Sequence, residues 1–238
     1  MHAKEPPMQK IYASITQNKI YFGGLLLAIL LGAVFLISNG KAAAFISLNS
    51  YHPFFLNVFF INYTFMGDGI FAICLIAAMF FYFKRKQCGF ALLYSFLISG
   101  AIAQILKNLV NSPRPKLYFE AGTYLNFIDG ITLGGSSSFP SGHTATAFAI
   151  ATVLALMTKN KNWQLLLLAA AFLVGYSRIY LAQHFLLDVI AGAMVGSISG
   201  ILAFYLAQNR VSIRRSIRKM HQVPSSAVSS PGAAVQTA

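Results

Sequence analysis

The chain has 238 residues, of which 57% are hydrophobic and only 10% charged, and it carries a formal net charge of +13. A soluble domain of this length needs far more polar surface. A nucleic-acid binder gathers its cations on one solvated face, whereas here they stand in short clusters between long apolar runs, so an all-α polytopic membrane protein is expected, with no nucleic-acid partner.

In chain order, residues 1–19 form a basic, polar leader. Residues 20–38 follow as the first run without a charge; as a helix it is about 29 Å long, enough to cross the hydrocarbon core. Ala42, Ala43 and Ala44 after it look like a signal-peptide cleavage site, but the run is longer than an ordinary signal core, so a retained span is expected. Residues 39–64 read as an aromatic-rich external loop lying in the interface. Five more spans are expected at 65–83, 89–110, 143–157 (starting from Pro140 or Ser141), 163–180 and 185–207. The result is a bundle of six transmembrane helices over residues 20–207. Residues 208–238 form a basic cytoplasmic segment whose last part, 223–238, is rich in Ser, Ala and Pro and is expected to be disordered. Cys74 and Cys88 provide neither a disulfide framework nor metal-ligand spacing, and no internal repeat is visible.

The charges orient this bundle. With the N-terminus in the cytoplasm, the cytoplasmic segments hold Lys4, Lys10, Lys19, Lys84, Arg85, Lys86, Lys159, Lys161, Arg210, Arg214, Arg215, Arg218 and Lys219, which is 13 of the 18 Lys and Arg, as the positive-inside rule requires. The exceptions are Lys41, Lys107, Arg114, Lys116 and Arg178. Three of these five belong to a group of short polar strings, and charge inside an apolar protein marks a functional site.

The first string is Lys107, Arg114 and Pro115 at the outer end of the third span. Pro113 and Pro115 favour an extended turn at Arg114, so two cations are held near one point. Taken alone, they are equally well read as headgroup-binding residues. The second is Pro140-Ser141-Gly142-His143, after the flexible approach Gly134-Gly135-Ser136-Ser137-Ser138. Ser141 and Gly142 offer backbone N–H groups and a hydroxyl at a helix start, an anion-binding arrangement, though plain capping by Ser141 explains them too. His143 beside a bound anion is placed to donate a proton. The third is Ser177-Arg178, His184 and Asp188. His184 and Asp188, four apart, are expected on one helix face, where the carboxylate orients the ring and leaves one nitrogen free as a nucleophile; a structural helix tie is the plainer alternative. In the six-span topology all three strings reach the external side.

The eleven residues of these strings resemble the signature of the type 2 phosphatidic acid phosphatase family, integral membrane lipid phosphatases that share a helical core with glucose-6-phosphatase and vanadium haloperoxidases. The resemblance covers 107–188 only. It implies that His184 is the nucleophile forming a phosphohistidine, that Asp188 orients it and that His143 protonates the leaving oxygen. It also implies that Lys107, Arg114, Ser141, Gly142 and Arg178 hold the phosphoryl oxygens. No metal and no cofactor are expected, since Glu5, Asp68, Glu120, Asp129 and Asp188 are the only carboxylates, too scattered for a two-metal site. Asp68, in Gly67-Asp68-Gly69, is expected chiefly to cap the second span. The expected partner is a lipid phosphate in a bacterial inner membrane, with the site facing the periplasm or exterior. Phosphatidylglycerol phosphate, phosphatidate, a polyprenyl diphosphate and a lipid A phosphate are the candidates. The competing functions are a vanadate-dependent haloperoxidase-like enzyme and a non-catalytic protein that binds or moves phospholipid.

Overall fold

The computed structural model describes residues 7–119 and 126–220. Lys4, Glu5, Glu120 and the expected disordered stretch 223–238 lie outside the described residues. Among the described residues all regular structure is helical: α1 (Pro7–Gln17), α2 (Lys19–Leu48), α3 (Phe54–Tyr63), α4 (Gly69–Ala77), α5 (Lys86–Val110), α6 (Pro115–Tyr118), α7 (Gly142–Met157), α8 (Lys161–Tyr180) and α9 (Leu186–Met220). A 3₁₀ turn, Thr64–Gly67, precedes α4, and a π-helical turn, Ala78–Tyr82, follows it.

Four helices (α2, α5, α8 and α9) are long and apolar enough to cross a membrane. The second expected span is not one continuous rod. Phe54–Gly67 and Gly69–Tyr82 form a pair bent by 55°, and the break falls where Asp68 adopts an extended conformation and caps α4 by accepting from the Ile70 N–H at 2.8 Å. The α7 helix has 16 residues, about 24 Å, shorter than an ordinary span.

Residues 39–64 are helical for most of their length rather than a loop. The α2 helix runs on to Leu48 through a change of direction at Gly40, whose φ of 76° suits only glycine among common residues. The α3 helix starts after Pro53. Its apolar sequence has no turn-forming cluster after that proline, and Phe54, Phe55, Val58 and Phe59 remain exposed along it, as on a helix facing lipid. At its far end α9 extends past 207 to Met220.

The core is the contact between α7 and α9. Along α9, Gly192, Gly196 and Gly200 recur every four residues and bring its backbone against α7, with small residues on both sides as in close-packed membrane helices. A methyl on Gly192 would lie 2.6 Å from the Ser141 carbonyl oxygen, and one on Gly196 would lie 2.2 Å from that of Ala145. The partner surface on α7 is Ala145, Ala149 and Thr152, all buried. The other helices attach around this pair. Tyr21 of α2 shares a buried 2.9 Å hydrogen bond with Thr152. At the opposite end, the Asn49 side chain donates to the carbonyls of Ile179 and Tyr180 at 2.6 and 2.7 Å, fixing the end of α8.

Replacing Gly196 by Ala forces a methyl onto backbone, not onto a yielding side chain. Overpacking of this kind costs about 1–3 kcal/mol. Gly196→Ala is therefore expected to lower the thermal midpoint in detergent clearly, whereas Gly23→Ala, where nothing lies within 4 Å, should leave it unchanged or raise it slightly.

Candidate active site

The helices that carry the three strings alternate in direction, so the C-terminal ends of α5 and α8 meet the N-terminal ends of α7 and α9. Four helix ends and their connections thus form one site. The α5 helix closes at Asn111 in the left-handed conformation, and Lys107 stays within its last turn. The chain then extends through Arg114 (φ −72°, ψ 160°) before the single turn of α6, as the two flanking prolines require. Two backbone bonds join this segment to the serine-rich approach, Arg114 N–H to the Gly135 carbonyl and Ser138 N–H to that of Ser112, both 2.9 Å. The first and second strings are thereby one structural unit.

Ser141 caps α7: its hydroxyl accepts from the Thr144 hydroxyl at 2.8 Å and from the Thr144 N–H at 3.4 Å. Its backbone N–H is not open to an anion, because it donates to the Asp188 carbonyl at 3.0 Å. That expectation is corrected. The same bond fastens the second string to the third. Gly142 follows at the open end of the helix, where a methyl would stand 3.7 Å from Lys107 Nζ, so the ammonium of α5 lies directly over the start of α7.

At the end of α8, the N–H groups of Gln183 and His184 both donate to the Arg178 carbonyl, at 2.9 and 3.1 Å. Ala182 takes a positive φ of 51°, a conformation costly for a residue with a Cβ that reverses the chain so His184 points inward. His184 stands just ahead of α9, so the expectation that it shares a helix face with Asp188 needs correction: the pair meets through the turn entering α9. There Asp188 Oδ2 accepts from the Phe185 N–H at 2.9 Å and the Ser138 hydroxyl at 2.5 Å, and lies 3.6 Å from His184 Nδ1. The Ser138 hydroxyl is also 3.4 Å from His184 Nδ1. Both oxygens stand on the Nδ1 side of the ring, which places the proton there and leaves Nε2 with a free lone pair. Burial pushes the His184 pKa down to about 4, with the Asp188 carboxylate opposing the shift, so the ring is neutral at pH 7.

The two arginines donate to neutral groups. Arg178 is only 7% exposed, donates from Nη1 to Thr64 Oγ1 at 2.7 Å and has a buried Nε without a protein partner. Arg114 donates from Nη1 to the Gln183 side-chain oxygen at 2.9 Å and backbone oxygen at 3.3 Å. Lys107, Arg114, Arg178 and His184 all lie within electrostatic range of His143, whose Nε2 is 3.7 Å from Asp68 Oδ2. Three cations around a spare buried N–H and a helix start form a cradle suited to an anion. Among the described residues, no three His, Cys, Asp or Glu side chains are grouped to hold a metal ion.

All eight sequence-predicted site residues are gathered here. Sequence reasoning missed Ser138, Gln183 and Thr64. Ser138 is the last of three consecutive serines with nothing to distinguish it, Gln183 had only its position beside His184, and Thr64 belonged to the supposed loop.

Residues 88–212 match the PAP2 superfamily model, and the chain belongs to that superfamily. It is similar to the lipid A 4'-phosphatase of Porphyromonas gingivalis, 31% identical over 66% of this chain and 68% of that one. Among solved structures it resembles Aquifex aeolicus LpxE, with a TM-score of 0.61 and 34% identity over 68% of this chain and 93% of that one. It also resembles a transmembrane PAP2 type phosphatidylglycerolphosphate phosphatase from Bacillus subtilis, with a TM-score of 0.55 and 27% identity over 79% and 94% of the two chains. The chain spans about half to two thirds of the length of several curated relatives that it matches.

Histidine-selective NMR checks the electrostatics. The His184 ring is expected to remain neutral from pH 8 to about pH 5 and to titrate near pH 4. Since Asp188 favours the charged ring, Asp188→Asn should move the midpoint lower still. A midpoint near the ordinary histidine value would contradict the buried, neutral ring.

Proposed function

We propose that this protein is a lipid phosphatase that removes phosphate from a membrane lipid through a phosphohistidine on His184. The observation that carries this reading is a buried neutral histidine, oriented by Asp188 and Ser138 on one nitrogen, beside three cations in a protein otherwise built for lipid. His184 Nε2 attacks phosphorus, the bond to the lipid oxygen breaks, and His143 gives that oxygen a proton. Water then attacks the phosphohistidine and returns a proton to His143, the P–N bond breaks, and inorganic phosphate leaves with His184 restored. Lys107, Arg114 and Arg178 bind the phosphoryl oxygens, and their stabilisation is greatest where charge spreads over those oxygens in the transition state. Gly142 and the Ser141 hydroxyl complete the cradle from the start of α7.

The same reading places the site on the external face of a six-span bundle in a bacterial inner membrane, the bent α3–α4 pair and the short α7 each counting as one span. The charge distribution supports it, because Lys84, Arg85, Lys86, Lys159 and Lys161 lie at the opposite ends of the helices from the site. The exposed aromatic residues of α3 stand at the site's end, where an interfacial belt is expected. The names of the relatives support a lipid A phosphate or phosphatidylglycerophosphate as substrate, and others support undecaprenyl diphosphate.

The direct test is phosphate release by purified protein in detergent, in EDTA, from a panel of these lipids. Release from at least one is expected, and release from none would overturn the reading. Asp188→Asn should retain the fold but lose turnover by about 10⁴-fold, as comparable substitutions in a catalytic triad do, with little change in substrate binding because the three cations remain. Normal turnover and normal phosphohistidine trapping in that variant would reduce Asp188 to a helix tie.

For orientation, single cysteines at Arg85→Cys and Lys116→Cys in a background lacking Cys74 and Cys88 can be labelled in intact cells with an impermeant reagent. Only position 116 is expected to react. Reaction at 85 alone would invert the topology.

A further inference from the structure

The bend between α3 and α4 lies outside the stretch matched to the superfamily, which begins at residue 88, yet it touches the site in three places. Thr64 accepts from Arg178. Gly67 presses on the first turn of α7, where a methyl on it would lie 2.7 Å from the His143 carbonyl oxygen and 2.6 Å from Val174 Cγ1. Asp68, next in sequence, uses its two oxygens differently: Oδ1 accepts the Ile70 N–H as the cap of α4, and Oδ2 faces His143 Nε2 at 3.7 Å. Capping therefore uses only half of this carboxylate.

The other half meets a specific electrostatic need. The groups facing His143 are Arg178 from α8, Lys107 from α5, Arg114 from the connection after α5 and His184 ahead of α9. Apart from His184 these are cations, and none accepts a proton from an imidazolium. Asp68 is the one carboxylate within ion-pair range of His143 among the described residues. The separation is that of an open site, and such contacts commonly shorten when substrate binds. The bend between two packed helical segments fixes Asp68, so it restricts the ring instead of following it.

We propose that Asp68 is the positioning residue for His143: its Oδ2 accepts the Nε2–H of the imidazolium and so directs the Nδ1–H at the leaving oxygen. On cleavage the Nδ1 proton passes to the departing lipid oxygen, giving the alcohol and a neutral ring still bonded to Asp68 through Nε2–H. Water attack on the phosphohistidine returns a proton to Nδ1. This assignment rests on the reading of His143 as the proton donor.

The test separates capping from positioning. Serine caps a helix about as well as aspartate, so Asp68→Ser keeps the first function and removes the second; Asp68→Asn does the same with a closer shape. Turnover is measured on dodecyl phosphate, whose alkoxide needs a proton to leave, and on p-nitrophenyl phosphate, whose phenolate does not. Both variants should lose about 10- to 100-fold on the alkyl ester, the usual cost of losing an orienting partner, with little loss on the aryl ester. Thermal midpoints should stay unchanged, and the alkaline limb of the turnover profile should move to lower pH. Equal losses on the two esters, or wild-type behaviour on both, would overturn the assignment. His143→Ala, measured in parallel, should show the same preference for the aryl ester. If it does not, the reading of His143 itself fails; if it does while Asp68→Ser matches wild type, only the role given to Asp68 fails.

Discussion

The glycine-lined contact between α7 and α9 is the constraint on which the rest of the site depends. Because Gly192 and Gly196 have no side chains, the two helices approach at backbone distance, which no larger residue at these positions permits. At that spacing the Ser141 N–H reaches the Asp188 carbonyl. One hydrogen bond then joins the turn that starts α7 with the turn that starts α9. Ser138, a short distance upstream of the first turn, is thereby set beside Asp188 and His184 in the second. The seam itself carries no chemistry, but it determines how residues from two distant strings come within a hydrogen bond of each other.

Charge is the second constraint. Three cations converge at one end of an apolar bundle, and their protein partners are mostly neutral: a threonine hydroxyl for Arg178 and a glutamine oxygen and a carbonyl for Arg114. Pairing each with a carboxylate would neutralise the cradle and leave nothing to attract a dianion. Neutral acceptors instead fix the geometry of the guanidinium groups without cancelling their charge. Charge that is only partly compensated in a low-dielectric setting is costly until an anion arrives. Such preorganisation gives the largest electrostatic effect on a reaction whose transition state spreads negative charge.

Much of this was legible in the sequence, for identifiable reasons. Long apolar runs of membrane length identify α2, α5, α8 and α9, because hydropathy reports burial in lipid directly. The convergence of Lys107, His143, Arg178 and His184 followed from alternating helix direction alone. The α3 helix was missed because an aromatic run without charges looks the same whether it loops through the interface or coils along it, and its proline reads as a break although it serves as a start. His184 was wrongly placed on α9, which begins at Leu186, since Ala182 gives no sign that it will adopt a left-handed turn. Ser138, Gln183 and Thr64 act through contacts with residues 46, 69 and 114 positions away, and no local pattern encodes a partner at such a distance.

In the proposed mechanism, position within one cradle divides acid from nucleophile between the two histidines. His184 has a side chain only 3% exposed, with the oxygens of Asp188 and Ser138 both on its Nδ1 side, whereas that of His143 is 31% exposed at the start of α7. Burial keeps the first ring neutral, so that its Nε2 lone pair is available. The second stands nearer solvent, where in the proposed reaction the apolar part of the lipid remains as its phosphate enters the cradle. A nucleophile is needed at the closed end of such a pocket and a proton donor at the end where the leaving group departs. Under the proposed mechanism, exchanging the two positions would put the nucleophile at the exposed end and the proton donor at the buried end, so the asymmetry in burial matches the direction in which the phosphate enters.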